Sequence, residues 1–387
     1  MPQETLIKLE FERSANSNQP VYEQIRDHFK RKINQHVIVE GQALPKISDL
    51  SKKWNVNYRT IKSAFELLEK DGMISWEPNK GGVVVPAKKN AGQVKTKCSM
   101  AFIRVQSDSF YVSLTEGIKT FCEEYDIDYH IINTDCSHQK TINAINHPGE
   151  GVNGVIVVPP ELDNYKYAIK NAIQSGINVV LLDRVLDGLD VSSVMSDHFY
   201  GAYEATRKMI EIHNRPVYHI SRIDSPSSIR DWVRGWSSAM REYNFFNIEP
   251  YLFKLSHSEA DDLTSFEKAC VHDYENALQF FNRYKEDVYC IFAGNDYMAR
   301  ALYHAAETKG LVVGKDVFIV SYGDMPFAAR LSVPLASVNQ NLVQVGYDGA
   351  KVLYETHNGC LPHTVSRLIP VNFVCRESMG GKPSGNH

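Results

Sequence analysis

Four polar clusters in this sequence each follow an apolar run. Ser107-Asp108-Ser109-Phe110-Tyr111 follows residues 100–105, and Asp183-Arg184 follows Val179-Val180-Leu181-Leu182. Asn295-Asp296 follows Cys290-Ile291-Phe292-Ala293-Gly294, and Gly323-Asp324 follows Phe318-Ile319-Val320-Ser321-Tyr322. Carboxylates, amides and an arginine suit a polyhydroxylated ligand, because each hydroxyl both donates and accepts a hydrogen bond. An aromatic face covers the apolar side of a sugar ring. Taken singly, each cluster is better read as a helix N-cap or a surface ion pair. Their recurrence at successive strand ends is what points to a pocket.

A second set lies in the first hundred residues. Ile61, Ala64, Phe65 and Leu68 share one face of a helix that begins after the N-cap residue Asn57. At about 100° per residue, Arg59, Lys62, Ser63 and Lys70 fall on the flank or the opposite side. The first turn then presents Tyr58, Arg59 and Lys62. In a helix-turn-helix this turn meets base edges in the major groove. Arg59 has the fork to pair with a guanine, and Lys62 and Tyr58 suit bases or phosphates. Lys52 and Lys53, on the preceding helix, are placed to grip phosphates. Lys80-Gly81-Gly82 can approach a backbone closely because glycine has no side chain. Charge supports the reading: residues 1–97 carry 17 Lys/Arg and 11 Asp/Glu, a net +6, while the remainder carries 25 and 35, a net −10. A basic head on an acidic body is the asymmetry expected when one part meets a polyanion.

The elements that must position these residues are legible. In the head, Val21, Ile25, Phe29 and Ile33 mark one helix, Leu50 and Trp54 a second, and residues 57–70 a third. Met73-Ile74-Ser75-Trp76, a turn through Glu77–Gly82 and Val83-Val84-Val85 make a hairpin. Three helices and a hairpin are the parts of a winged helix-turn-helix over residues 1–85. Residues 86–97, with four lysines and no apolar period, read as a linker. Beyond it, strands are expected at 100–105, 127–132, 153–158, 178–182, 191–195, 216–220, 288–292 and 317–321, mostly separated by helices. This βαβ rhythm implies an α/β body with parallel sheets in two lobes over 98–376, followed by a tail, 377–387. The 387 residues allow two or three domains.

Residues 20–85 resemble the GntR-family winged helix. The likeness rests on Pro20-Val21-Tyr22-Glu23-Gln24-Ile25, Leu44-Pro45, Val56-Asn57-Tyr58-Arg59-Thr60-Ile61-Lys62-Ser63-Ala64, Leu67–Ile74 and Gly81-Gly82-Val83-Val84-Val85. The resemblance adds Lys46, Asn57 and Thr60 to the candidate DNA contacts. Where family members often have Ser-Glu-Arg after Leu-Pro, this chain has Lys46-Ile47-Ser48, and Tyr58 stands where an arginine is usual. The body resembles LacI/GalR effector domains, which have a periplasmic-binding-protein-like fold. It does so through Gly154–Pro160, Leu182-Asp183-Arg184, Ser196–Ala202, Phe292–Ala299 and Val338-Asn339-Gln340. That likeness implies a pocket using Phe110, Asp183, Arg184, Asn295 and Gln340, with Ser107 and Tyr111 beside Phe110. A family arginine three residues before Gly235-Trp236 is here Trp232, which can stack on a ring, with Arg230 two residues earlier. The Tyr-Asp-Asp segment reads Tyr322-Gly323-Asp324, so its usual carboxylate is lost or displaced by one. A GntR head on such a body resembles the arabinose-repressor architecture, which implies a sugar effector such as L-arabinose, L-fucose or a related monosaccharide.

Catalytic readings fare poorly. Gly149-x-Gly151-x-x-Gly154 has dinucleotide spacing but precedes a strand, whereas the fingerprint follows one and opens a helix. No P-loop, H-E-x-x-H or G-x-S-x-G occurs, and the 14 histidines lack metal-ligand spacing. GntR heads also occur on aminotransferase-like bodies, which the two-lobed pattern does not resemble. The seven cysteines, an odd number with no C-x-x-C, read as reduced thiols in a cytoplasmic protein. No apolar run approaches a membrane span, and the first residues lack signal-peptide character. The expectation is a dimeric, ligand-responsive, non-enzymatic transcriptional regulator, without cofactor or metal, that binds operator DNA and a monosaccharide effector. Repression of a carbohydrate operon is the leading sense. An activator, or a sugar-binding or sugar-modifying protein with a regulatory head, is the alternative.

Overall fold

The strands Gly154–Val157 and Tyr289–Ala293 are buried at every position, and Asn178–Leu182 at all but its first. Uninterrupted burial of this kind belongs to parallel strands covered by helices on both faces. A computed structural model places them so. It describes residues 11, 20–34, 38, 41–70, 73–77, 81–84, 97–160, 162–221, 226–255, 266–361 and 364–380. The chain divides into two units, Met1–Lys95 and Thr96–His387.

The first unit contains α1 (Val21–Asn34), α2 (Ile47–Trp54), α3 (Tyr58–Lys70), β1 (Ile74–Glu77) and β2 (Gly81–Val84). Ile25, Phe29, Leu50, Ile61, Phe65 and Leu68 form its core. Asn55, left-handed at φ 51°, caps α2 and turns the chain into α3. β1 and β2 are antiparallel, with Trp76 opposite Gly82 and Glu77 opposite Gly81. The segment at Gly41–Leu44 adds to β2 through Leu44 N–H donating to Gly82 O at 2.7 Å.

The second unit holds two sheets. The first, in order β4-β3-β5-β6-β7-β13, comprises β3 (Ser99–Arg104), β4 (Asp128–Asn133), β5 (Gly154–Val157), β6 (Asn178–Leu182), β7 (Ser192–Ser196) and β13 (Ser366–Ile369), all parallel. The second, in order β9-β8-β10-β11-β12-β14, comprises β8 (Tyr218–Ser221), β9 (Leu252–Lys254), β10 (Tyr289–Ala293), β11 (Val317–Gly323), β12 (Ala336–Asn339) and the antiparallel β14 (Asn372–Val374). The helices are α4 (Ser109–Glu124), α5 (His138–Asn146), α6 (Asp163–Gln174), α7 (His198–His213), α8 (Ser227–Glu242), α9 (Phe266–Arg283), α10 (Asp296–Thr308) and α11 (Leu342–His357). Each sheet therefore has the same winding, and each is flanked by two apolar clusters.

The chain crosses between lobes three times. α7 follows β7 of the first lobe but packs on the second, and α11 follows β12 of the second but packs on the first. The third crossing lies between β13 and β14. Hydrogen bonds tie the crossings together: Ser196 Oγ to Gln340 O at 2.7 Å, Asp197 N to Ile369 O at 2.9 Å and Asn341 Nδ2 to Pro370 O at 2.5 Å. In both lobes a helix pair packs through glycine. A Cβ on Gly117 would lie 1.9 Å from Val343 O, and one on Gly235 would lie 2.2 Å from Phe199 O.

Three expectations change. Gly81 and Gly82 pair within β2 instead of forming the turn. Gly82 is buried where its missing Cβ lets Ile74 and Phe65 close, so it is not a DNA-approaching position. Residues 377–380 are not a loose tail, because buried Ser378 accepts from Ala336 N–H and donates to Ile319 O. Strands β9, β12, β13 and β14, of three or four residues each, had not been anticipated. Lys80 and, apart from Lys97, the expected linker 86–97 lie outside the described residues.

Candidate effector cleft and nucleic-acid interface

In the head, α3 begins at an exposed turn. Tyr58 is 51% exposed, and Arg59 and Lys62 are also exposed. Asn57 is the cap, its Oδ1 accepting Arg59 N–H at 2.9 Å, which fixes the helix start and leaves the Arg59 side chain outward. Thr60 is half-buried beside it. Lys62 makes an exposed i,i+4 pair with Glu66 at 3.5 Å. Lys46, at the N-cap of α2, and Lys52 and Lys53, in its last turn, are exposed cations on the neighbouring helix.

In the body, the order β4-β3-β5 reverses at β3/β5, and β9-β8-β10 reverses at β8/β10. Crevices at the carboxyl ends of such switch points are where open α/β sheets bind ligands. Ser107, exposed, and Phe110, half-buried, follow β3, and Asn295 follows β10. Asp108 caps α4, accepting Tyr111 N–H at 3.1 Å. Asn295 is likewise a cap, accepting Met298 N–H at 2.8 Å, and its side chain is exposed.

The most buried of the polar groups lie at the first crossing. Asp183 is 3% exposed and left-handed at φ 67°, in a tight turn closed by Arg184 N–H to Leu182 O at 2.8 Å. Backbone strain at a buried carboxylate is a mark of a positioned group. Arg184 Nη2 lies 2.7 Å from Asp183 Oδ2. Tyr111 packs edge-on against Phe110 at 5.2 Å. Burial pushes its hydroxyl up, against the downward pull of the Arg184 charge. His198, buried at the start of α7, donates from Nε2 to Asp183 O at 2.8 Å, since a carbonyl only accepts. In the neutral ring Nδ1 then accepts from the Tyr322 hydroxyl at 3.2 Å. Trp232 stands 4.8 Å from the Tyr322 ring and 5.9 Å from that of His198. This His198–Tyr322–Trp232 group belongs to the second lobe and reaches the first through the His198 bond to Asp183 O.

Two expected ligand residues are engaged by the protein. Arg230 Nη2 donates to both Asp187 oxygens, at 2.8 and 2.9 Å, from α8 of the second lobe to the 183–187 loop of the first. Beside it, Val185 N–H donates to Ser227 Oγ at 2.9 Å. Asp324 accepts from Arg376 Nη2 at 2.7 Å and from Asn339 Nδ2 at 2.9 Å. Gln340 is 6% exposed at the second crossing. The sequence reading missed His198, Tyr322 and Asp187. His198 carried a signal, since it follows a strand end like the residues chosen, and Tyr322 stood in the Tyr-Asp-Asp segment. Asp296, which the sequence placed beside Asn295, is buried and accepts from Ser321 Oγ, Ser337 Oγ and Met325 N–H. Burial raises its carboxyl and those bonds lower it. Among the described residues, no three His, Cys, Asp or Glu are grouped to hold a metal, and no helix is long and apolar enough to cross a membrane.

Residues 101–359 match the family described as periplasmic binding protein domain. The chain belongs to that family. Residues 21–84 match bacterial regulatory proteins of the gntR family, so this family member is a transcriptional regulator with its own DNA-binding head. It is 22% identical over 355 residues to the probable HTH-type transcriptional repressor ExuR of Bacillus subtilis (strain 168), covering 86% of this chain and 98% of ExuR. It is 19% identical over 340 residues to the arabinose metabolism transcriptional repressor of Halalkalibacterium halodurans, covering 86% and 88%. A solved transcriptional regulator CelR–cellobiose complex covers 87% of this chain and 100% of its own, at TM-score 0.63 and 17% identity. These relatives are named as regulators, not as enzymes.

Proposed function

We propose that this regulator is a dimeric cytoplasmic repressor whose head, residues 1–85, is released from operator DNA when a sugar enters the cleft of the 98–376 body. The observation that carries the reading is the meeting of the two lobes. Polar and aromatic side chains of both lobes converge at the crossings, on the same chain as a helix that exposes Tyr58, Arg59 and Lys62. A ligand touching both lobes stabilises one lobe arrangement over another, and only such a differential contact can shift an equilibrium. Phe110, Tyr111, Asp183, Arg184, Trp232 and Gln340 are the residues proposed to meet it. Arg230 acts through its contact with the other lobe, and Asp324 through its bonds within the second lobe. Ser107 and Asn295 stand at the rim.

In a dimer, two heads about one helical turn apart, roughly 34 Å, match a near-palindromic site. Coupling between ligand and operator is reciprocal, typically about 1–3 kcal/mol. The relatives named as repressors, and the cellobiose bound by CelR, support the sense and the ligand class. The test is a mobility-shift titration of promoter DNA with and without saturating sugar. Affinity falling with sugar is expected. Equal affinity in both conditions refutes the reading, and affinity rising with sugar replaces repressor by activator.

A further inference from the structure

The chain leaving the head enters the body at Lys97–Ser99, and one side chain grips it there. Asn153, the residue before β5, donates from Nδ2 to Lys97 O at 2.9 Å and accepts Ser99 N–H on Oδ1 at 3.1 Å. Its backbone N–H donates to Ser99 O at 3.0 Å. Its carbonyl accepts the backbone N–H of Asn178 at 3.0 Å and the Nδ2 of the same residue at 3.5 Å. Every polar group of Asn153 is thus spent on joining the starts of β3, β5 and β6. On the other side of the entering chain, Lys97 Nζ lies 3.0 Å from Asp128 Oδ2 at the start of β4. Those side chains are 62% and 60% exposed, so water and salt screen the pair and the amide is the firmer hold.

The place of this clamp decides what it can do. β3, β5 and β6 are parallel, so their amino ends meet at the clamp and their carboxyl ends face the candidate effector residues. At about 3.3 Å per residue, the six residues of β3 put roughly 20 Å of hydrogen-bonded strand between the two. α11, which begins at the second crossing, also ends beside the clamp. Asn178 Nδ2 donates to Nδ1 of His357, the last residue of α11, at 3.4 Å. Leu353 packs so closely on β5 that a Cβ on Gly154 would lie 2.3 Å from its Cδ2. Strands and a helix that reach from the crossings to the clamp turn with it as one body. A chain bonded to that body through the Asn153 amide follows the turn, whereas one held only by a screened ion pair can swivel.

We infer that Asn153 is a positioning residue for the coupling between effector and operator. By fixing Lys97–Ser99 to the first lobe, it passes a change of lobe arrangement into the chain that carries the DNA-reading helix. The inference rests on the repressor reading and adds a residue on which its coupling depends. Effector binding does not need Asn153, which lies at the opposite end of the strands.

The test compares wild type, Asn153→Ala and Asn153→Asp as full chains. The sugar used is the member of an L-arabinose, L-fucose, D-ribose and D-galactose panel that raises the wild-type melting temperature. Calorimetry gives its affinity for the DNA-free protein, and mobility shifts give the ratio of promoter affinities without and with saturating sugar. In Asn153→Ala, sugar affinity stays within about two-fold of wild type, as expected for a distant site. The promoter ratio falls about three- to ten-fold, the worth of the lost hydrogen bonds. Asn153→Asp keeps the acceptor for Ser99 N–H and loses only the donor to Lys97 O, so its ratio is intermediate; it also carries the test if Asn153→Ala does not fold. A wild-type ratio in the folded variants overturns the inference and leaves the repressor standing. A ratio lost only together with sugar affinity marks a damaged lobe and also overturns it. A ratio of one in wild type, or no sugar in the panel that stabilises it, counts against the repressor reading and takes the inference with it.

Discussion

Removing Arg230 should loosen the seam between the lobes without touching either core. Its guanidinium meets both oxygens of Asp187, but the side chains are 38% and 66% exposed, so water and salt screen the pair. A pair of that kind contributes about 0.2–1 kcal/mol, which corresponds to roughly a 1.4- to 5-fold change in an equilibrium constant. If the pair exists only when the lobes are together, Arg230→Ala lowers the ratio of closed to open molecules by that factor. A reporter lies alongside: the Val185 amide, hydrogen-bonded to Ser227 Oγ across the same seam. Its hydrogen exchange, followed by mass spectrometry, should accelerate by the same factor in Arg230→Ala and in Asp187→Ala. The swap Asp187→Arg with Arg230→Asp should restore protection, and added salt should shrink the difference. Unchanged exchange in the single variants refutes the seam. A swap no better protected than either single variant shows that the pair's charges do not carry it.

Arg59→Ala with Lys62→Ala should abolish specific duplex retention in a mobility-shift assay and flatten the dependence of residual binding on salt, since phosphate-neutralising cations set that slope. His219 is fully buried, and burial pushes its imidazole down to about 4, opposed by the Phe292 carbonyl bond. The unfolded chain therefore binds the extra proton first as pH drops. Stability present at neutral pH should decline between about 6.5 and 4, by about 3 kcal/mol in all. His219→Phe should flatten that part of the calorimetric profile. Gly235→Ala drives a Cβ into the Phe199 carbonyl and should lower stability by about 1–3 kcal/mol; a melting temperature equal to wild type would show that α7 and α8 separate freely.

How much was legible depended on the range over which each feature is encoded. The long buried strands announced themselves, because Val179–Leu182 or Cys290–Ala293 are apolar without interruption, and the observed strands lie within about two residues of those expected. The edge strand β13, Ser366–Ile369, is buried only at Ile369 and carries no periodic signal, since its strand character comes from pairing with β7. The strand-end rule chose Asp183, which the fold buries in the turn after β6. The same rule chose Asn295, whose amide the helix behind it uses as a cap. Local sequence does not reveal which of two uses a polar side chain at a strand end will take.

The composition and order of residues alone determined a basic three-helix head, an acidic βαβ body and the positions where strands give way to polar loops. Such features arise from short-range periodicity and charge, which a linear chain carries intact. Only the folded chain decided which polar groups pair. Arg230 finds Asp187 across 43 residues and Asp324 finds Arg376 across 52. Ser227 finds Val185 across 42 residues. Hydrogen bonding and charge pairing act over a few ångströms in space, whatever the separation along the chain, so their outcome waits on the three crossings.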